Sequence, residues 1–167
     1  MAFIDLDPVL RFLENTSFAV AIRENDLLFP WIESLHVLAI VVVVGTITVI
    51  DLRLIGVASM DRTARRLLGD VLPCTWIAFG AAAATGLSLF SSKAFEYAHN
   101  FYFQGKITLL VLASLNMAFF HLIGSRRLDE WDALQTTPFL AKLAGGISLA
   151  IWATVIVFGR WIGFTMR

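Results

Sequence analysis

The residues of this chain best suited to metal or electron chemistry are its three histidines, because Cys74 is its only cysteine. A lone cysteine cannot form an internal disulfide or a cysteine-pair redox motif. If the apolar stretches around the histidines are helices, the imidazoles lie at different depths. His36 and His99 lie near the starts of two such stretches, whereas His121 comes about 19 residues after Tyr102, or about 28 Å along a helix. We therefore expect His36 and His99 on one side of a bilayer and His121 on the other.

This depth pattern predicts which histidines could share one iron. A haem b is held by axial ligands on opposite sides of the iron, and imidazole is a usual choice in a membrane bundle. His36 and His99 could form such a pair near the outer face, whereas His36 and His121 are too far apart. Two other interpretations of His36 stay open. Its imidazole could be purely structural, bonding a neighbouring helix or facing the headgroups, or it could contact a proton or a quinone.

Two cations and two tryptophans accompany these histidines on the same predicted side. Lys106 and Arg160 could each offer a positive charge to a haem propionate or a quinone oxygen, and Trp31 and Trp161 would flank the site. Both cations also have a plainer interpretation, because Glu33 could pair with either of them in an interfacial salt bridge.

Asp51 forms a second candidate site at the opposite end of the first span. It follows His36 by 15 residues, which is only about 60° around a helix of about 100° per residue, so both side chains could face the interior of a bundle. At its depth Asp51 could meet His121, Arg126 or Arg127. The interpretation that we favour is an ion pair at the membrane interface that fixes the end of the helix, and the alternative is part of a proton path.

The elements that position these residues follow from composition. Of the residues, 58% are hydrophobic and only 16% are charged, against roughly 25% charged in an ordinary soluble domain. About 20 apolar residues cross a bilayer, and runs of that length must be helical because lipid satisfies no backbone group. The sequence therefore predicts an all-α integral membrane four-helix antiparallel bundle, with spans at Trp31–Ile50, Val71–Phe90, Tyr102–Ile123 and Phe139–Phe158.

Some polar and small residues inside these spans are expected to serve packing. Gly80, Ala84 and Gly86 in the second span let helices approach closely. Asn116, in the middle of the third span, is expected to bridge two helices through its amide. No span carries the paired acids of a proton relay, so a transporter is not supported.

The first thirty residues differ from the rest, since they mix apolar and charged positions without reaching spanning length. We expect two interfacial amphipathic helices, one opening with Asp7 as cap and Pro8 in the first turn, the other starting at Ser17. A partly ordered tail is the alternative. The predicted organisation is thus an interfacial segment at 1–30 and a four-span bundle at 31–167.

Orientation is predicted from the distribution of arginine. Arg62, Arg65 and Arg66 are clustered after the first span, and Arg126 and Arg127 follow the third. The positive-inside rule places these loops in the cytoplasm, hence both termini in the periplasm of a bacterial inner membrane. The net charge is zero and no basic block exists, so a nucleic-acid partner is not supported.

Several short motifs together carry a resemblance to a proteobacterial family of four-span membrane proteins of unknown function, over Trp31 to Phe164. They are Ser34-Leu35-His36, Asp51-Leu52-Arg53-Leu54-Ile55-Gly56, Gly105-Lys106 and Gly159-Arg160-Trp161. More distantly, a histidine at the outer start of the first span is similar to the copper-resistance D family and to quinone-linked four-helix b-type cytochromes. Those cytochromes hold two haems on several histidines, which three histidines cannot supply.

The sequence favours a small integral-membrane subunit or partner of a membrane redox system, holding one haem b or contacting a quinone near the outer face. Besides the lipid bilayer, its expected partners are other membrane or periplasmic subunits. The alternative is a non-catalytic structural or assembly subunit of a membrane complex, in which the histidines and ion pairs only position helices.

Overall fold

The computed structural model of the protein describes residues 6–58, 63–124 and 137–166. Within those residues the chain is all α-helical, as predicted. The helices are α1 (Asp7–Glu14), α2 (Ser17–Glu24), α3 (Leu28–Ile55), α4 (Ala64–Ser92), α5 (Ala94–His99), α6 (Phe101–Phe119) and α7 (Phe139–Thr165). One π-helical turn, Phe120–Gly124, follows α6 directly.

Four of these helices are long and apolar enough to cross a membrane. They are α3, α4, α6 with the first π-helical residues that follow it, and α7. The chain is therefore a multi-pass membrane protein. The helices extend beyond the predicted spans, because hydropathy marks the hydrocarbon layer while backbone hydrogen bonding continues past it. The 28 residues of α3 measure about 42 Å, against about 30 Å of hydrocarbon.

The four long helices form an antiparallel bundle in which α3 packs against both α4 and α7, and α7 packs against α6. The bundle has two distinct ends. We call the end where α4 meets α5 and α6 begins the capped end, because α1, α2 and α5 lie across it. We call the other, where α3 ends near Arg53 and α4 starts near Arg65 and Arg66, the arginine end.

The short N-terminal helices are confirmed, and they contact the bundle rather than standing apart from it. α2 buries Ala19 and Ile22 completely against α3 and α4. The guanidinium of Arg23 donates to the backbone oxygens of Glu14 and Ser92, at 3.3 and 3.2 Å. The Glu14 carboxylate in turn accepts from the Phe95 amide at 2.8 Å. These bonds join α1, α2, α4 and α5 across the capped end.

The start of α1 differs by one residue from the prediction. Asp7 lies inside the first turn, and Leu6 occupies the cap position with no side-chain hydrogen bond. Leu6 has helical backbone angles, so the chain enters the helix before Asp7. Asp7 still lies where a negative charge interacts favourably with the helix dipole.

Two residues determine how the long helices end and begin. Gly56 has a φ of +90°, the left-handed conformation that glycine adopts without strain, and it ends α3. Asn100 accepts hydrogen bonds from the amides of Tyr102 and Phe103 at 2.9 and 3.2 Å, and so starts α6 directly after α5. The hydrophobic core lies toward the arginine end and contains Ile50, Leu54, Ala64, Phe120, Ala141 and Ala144.

Candidate ligand site toward the capped end

His36 lies on α3 and is half-buried against α4. Its Nδ1 is 2.9 Å from the Ala82 carbonyl oxygen and 3.0 Å from the Thr85 hydroxyl. A carbonyl oxygen can only accept a hydrogen bond, so the bond assigns the proton of the neutral ring to Nδ1. Nε2 then keeps a lone pair that can accept a proton or a hydrogen bond, or bind iron.

The close fit of this imidazole depends on a glycine. A methyl group added at Gly86 would lie 2.9 Å from Cε1 of His36, closer than carbon atoms approach without displacement. The ring therefore occupies the space that any other residue at position 86 would fill. Gly86 therefore permits close packing, as expected, but the group that packs against it is the His36 side chain and not a helix backbone.

Lys106 on α6 brings a positive charge to the same region. A methyl group added at Gly159 of α7 would lie 3.7 Å from its Nζ, so the end of this half-buried side chain lies beside α7. The ammonium is near enough to His36 for the two groups to interact electrostatically. Within the described residues the ammonium has no carboxylate or hydrogen-bond acceptor. His36 and Lys106 are thus two polar groups in the same part of the bundle, and we call them together the His36–Lys106 site.

Aromatic residues pack against one another at the capped end of the bundle. The rings of Phe90 and Phe103 stack at 5.3 Å, and that of Tyr97 lies 5.6 Å from Phe103. Burial, and then the nearby negative charges of Glu33 and Glu96, raise the pKa of the Tyr97 phenol. The phenol therefore stays neutral and able to donate a hydrogen bond.

His99, the second predicted ligand, has different neighbours from His36. Its Nε2 is 3.6 Å from Asp7 Oδ1 on α1, and its side chain is 55% exposed. Its Nδ1 is 2.9 Å from the Phe95 carbonyl oxygen of its own helix. His36 faces α4 and His99 faces α1, so the described arrangement does not place the two imidazoles around one ligand.

The other predicted site residues lie at the surface of the bundle. The Arg160 guanidinium stacks over the Phe164 ring, with its carbon 4.7 Å from the centroid. Trp161 stacks on Tyr102 at 6.1 Å, and Trp31 is 67% exposed. Among the described residues, no ion pair joins Glu33 to Lys106 or Arg160, so the predicted salt bridge does not form.

At the arginine end, Asp51 and Arg53 are almost fully buried, with exposed fractions of 4% and 1%. The Ser148 hydroxyl of α7 donates to the Asp51 carboxyl. The Arg53 guanidinium lies 3.5 Å from the Thr137 hydroxyl. No ion pair to Asp51 occurs among residues 6–58, 63–124 and 137–166. Arg126 and Arg127, proposed above as its partners, lie outside the described residues.

Hydrogen bonds between helices involve three further polar residues inside the spans. The amide of Asn116 donates to the Ala144 carbonyl oxygen at 3.0 Å, as predicted for a helix-bridging asparagine. The hydroxyls of Thr75 and Thr46 join α4 to α3 at 2.9 Å. Sequence reasoning does not single out this threonine pair or Thr85, because a threonine in a span usually bonds its own helix.

The geometry can be tested against the predicted haem b. An imidazole whose Nδ1 donates to a backbone carbonyl presents Nε2 in the orientation that an iron ligand needs, so His36 fits one axial position. The His99 Nε2 lies 3.6 Å from Asp7 Oδ1 in this arrangement, so His99 has a neighbour other than the His36 imidazole. No cluster of three potential metal-ligating side chains occurs in the described part of the chain, a finding that does not bear on haem.

Fold and site together define the class of this protein as a four-span membrane bundle with a polar site between its helices. Residues 16–165 match the family described as "Family of unknown function (DUF6644)", and the chain belongs to that family. No curated protein and no solved structure matches it. The family agrees with the expected resemblance to a family of unknown function, while the distant resemblances to copper-resistance D proteins and b-type cytochromes gain no support.

Proposed function

We propose that this protein is a small integral-membrane subunit or partner of a membrane redox system, and that its His36–Lys106 site contacts a quinone. One observation carries the proposal. His36 on α3 has a free Nε2 lone pair, and Lys106 on α6, near enough to interact with it electrostatically, is an ammonium that has no counter-charge among the described residues. An unpaired cation inside a membrane is costly, so a ligand that compensates it is the expected reason for its position.

The two groups match the chemistry of a quinone. The Lys106 ammonium would donate to a quinone carbonyl oxygen, which becomes more negative as the ring is reduced. Nε2 of His36 would accept the proton of a quinol hydroxyl as that ring is oxidised. Both interactions are strengthened in surroundings that exclude water. The electrons would pass to or from a redox centre in a partner subunit.

Labelling with a photoreactive azidoquinone tests the proposal. We expect a label on α3, α4 or α6 of the protein in native vesicles, competed by unlabelled quinone. Lys106→Gln should reduce labelling by about tenfold or more, since a hydrogen bond to a charged group contributes roughly 1.5–3 kcal/mol. The fold should survive, because the substitution removes an uncompensated charge. Lys142→Gln, an exposed lysine at the arginine end, is the matched control.

Two results would contradict a quinone site. Labelling that is equal in Lys106→Gln, Lys142→Gln and the unaltered protein would show that the probe only partitions into lipid. Loss of folding in Lys106→Gln, measured by thermal unfolding in detergent, would show instead that Lys106 is a structural residue.

Haem b is the second candidate, and the orientation of His36 favours it. With His99 beside Asp7 of α1, a second ligand for the iron would come from a neighbouring subunit. The dithionite-reduced complex should then show a sharp alpha band that is absent in His36→Ala and present in His121→Ala. A complex without any such band removes this candidate.

A non-catalytic assembly subunit is the third candidate. It is favoured by the hydrogen bonds that join helices through Asn116 and through the Thr46–Thr75 pair. Under this function His36→Ala would lower thermal stability and leave quinone labelling unchanged. We further propose that the protein lies in a bacterial inner membrane, with the arginine end in the cytoplasm, both termini in the periplasm, and other membrane or periplasmic subunits as partners.

A further inference from the structure

Asp51 is a buried carboxyl group that the proposed quinone site does not use. It lies near the end of α3, and its Oδ2 is buried with no hydrogen-bond partner in the described structure. Its partner is the Ser148 hydroxyl. Leaving a charged oxygen without water and without a donor is among the costliest arrangements in a protein interior. The cost largely disappears when that oxygen carries a proton.

The burial of Asp51 results from the close approach of α3 and α7. A methyl group added at Gly145 would lie 3.0 Å from the backbone oxygen of Asp51 and 3.2 Å from Cβ of Leu54. Ile50 and Leu54, which flank Asp51 on α3, belong to the hydrophobic core. The carboxyl is therefore held in apolar surroundings at a close contact between α3 and α7.

The charged groups described near the Asp51 carboxyl form no ion pair with it. The guanidinium of Arg53, on the same helix, lies 3.5 Å from the Thr137 hydroxyl. The titratable and charged groups that the surrounding helices carry toward this end are Arg65, Arg66 and Asp70 on α4, His121 after α6 and Lys142 on α7. In the described part of the chain no ion pair joins any of these to the Asp51 carboxyl. A metal ion would need more ligands than one carboxylate and one hydroxyl.

We propose that Asp51 is a proton-binding site of the bundle, which holds a proton on Oδ2 and exchanges it with the aqueous phase at the arginine end. Ser148 donates to the carboxyl and fixes its orientation, and the proton satisfies Oδ2, which no donor in the described part of the chain reaches. The site is separate from the His36–Lys106 site, because Asp51 is about 22 Å from His36 along α3. This inference replaces the interfacial ion pair favoured from sequence.

Infrared spectroscopy of the purified protein tests the proposal directly. At neutral pH the unaltered protein should show the carbonyl stretch of a protonated carboxyl. The band should shift in deuterated water, disappear at alkaline pH and be missing in Asp51→Asn. That variant keeps an oxygen for Ser148 and should fold. Asp70→Asn, which alters an exposed carboxyl on α4, should leave the band unchanged.

Carbodiimide labelling supplies a second readout that needs no variant. An apolar carbodiimide reacts with a protonated carboxyl in apolar surroundings, so it should modify Asp51 in native vesicles, with labelling that falls as pH rises. A water-soluble carbodiimide should instead modify Asp70. If Asp51 is not modified at neutral pH, or if Asp51→Asn leaves the infrared band in place, Asp51 is ionised and the proposal is wrong. Neither measurement depends on a quinone, so each proposal can fail alone.

Discussion

Polar side chains inside this bundle differ in whether their bonding capacity is used. The Asn116 amide donates to the Ala144 backbone oxygen and so joins α6 to α7. The hydroxyls of Thr46 and Thr75 satisfy each other across α3 and α4. His36 uses one ring nitrogen in this way and leaves the other available. Residues of the first kind contribute to assembly, and those with unused capacity are the candidates for ligand or proton chemistry.

Asn116 provides a prediction at this scale. Asn116→Ala should lower the free energy of unfolding in detergent by about 1 kcal/mol, because hydrogen bonds between membrane helices typically contribute less than about 2 kcal/mol. The matched control is Ser114→Ala on the same helix, since the Ser114 hydroxyl bonds only the Leu110 carbonyl of its own helix. Equal effects of the two substitutions would show that the bond from Asn116 does not stabilise the α6–α7 contact.

At the scale of elements, sequence predicts that the long helices exist but not where they end or what they contact. The apolar length of α3 requires a spanning helix, because its backbone must be satisfied without water. Its last turns are fixed by Gly56 in the left-handed conformation, which hydropathy does not reveal. Likewise, sequence identifies His36 as a costly polar residue, but its partner is a backbone oxygen that any residue at position 82 would offer.

The contact between α3 and α4 depends on Gly86. Gly86→Ala should destabilise the protein by about 1–3 kcal/mol, because the new methyl group overlaps the His36 imidazole and forces it to move. Gly80→Ala on the same helix is the control, since no atom lies within 4 Å of its added methyl group. Thermal unfolding in detergent compares them. A Gly86→Ala protein as stable as Gly80→Ala would contradict the described ring position.

The contact between α3 and α7 offers a matched pair of adjacent glycines. Gly145→Ala should weaken this contact, because its methyl group would meet the Asp51 backbone oxygen at 3.0 Å. Gly146→Ala should be neutral or stabilising, since its methyl group meets nothing within 4 Å and alanine favours helix over glycine. Similar unfolding temperatures for the two variants would show that α3 and α7 are not in close contact at Gly145.

At the scale of the whole molecule, the up-and-down order of the spans puts Leu6 and Met166, the first and last described residues, at the capped end. A hydrogen bond confirms that α7 ends there, because the Asn100 amide at the start of α6 donates to the Thr165 hydroxyl of α7 at 2.8 Å. Sequence predicts this shared side from the even number of spans. It does not predict that His99 lies 3.6 Å from Asp7, since that contact depends on α1 folding against α5.

Orientation gives a prediction for the intact membrane. In a Cys74→Ser background, a cysteine at Glu96, exposed on α5, should react with a membrane-impermeant thiol reagent added to spheroplasts. A cysteine at Thr63, exposed at the start of α4, should react only after the membrane is opened, because the nearby arginines retain that end in the cytoplasm. The opposite pattern of labelling would reverse the orientation.

The pattern of helix contacts has a consequence for the biogenesis of the protein. α3 with α4, and α6 with α7, are hairpins of consecutive spans, and the principal contact between the hairpins is that of α3 with α7. His36 belongs to the first hairpin and Lys106 to the second. Helices insert into a membrane before they associate laterally, and neither hairpin alone carries both residues of the proposed ligand site. The proposed ligand would therefore bind only after the two hairpins have associated through α3 and α7, so that binding would report their assembly.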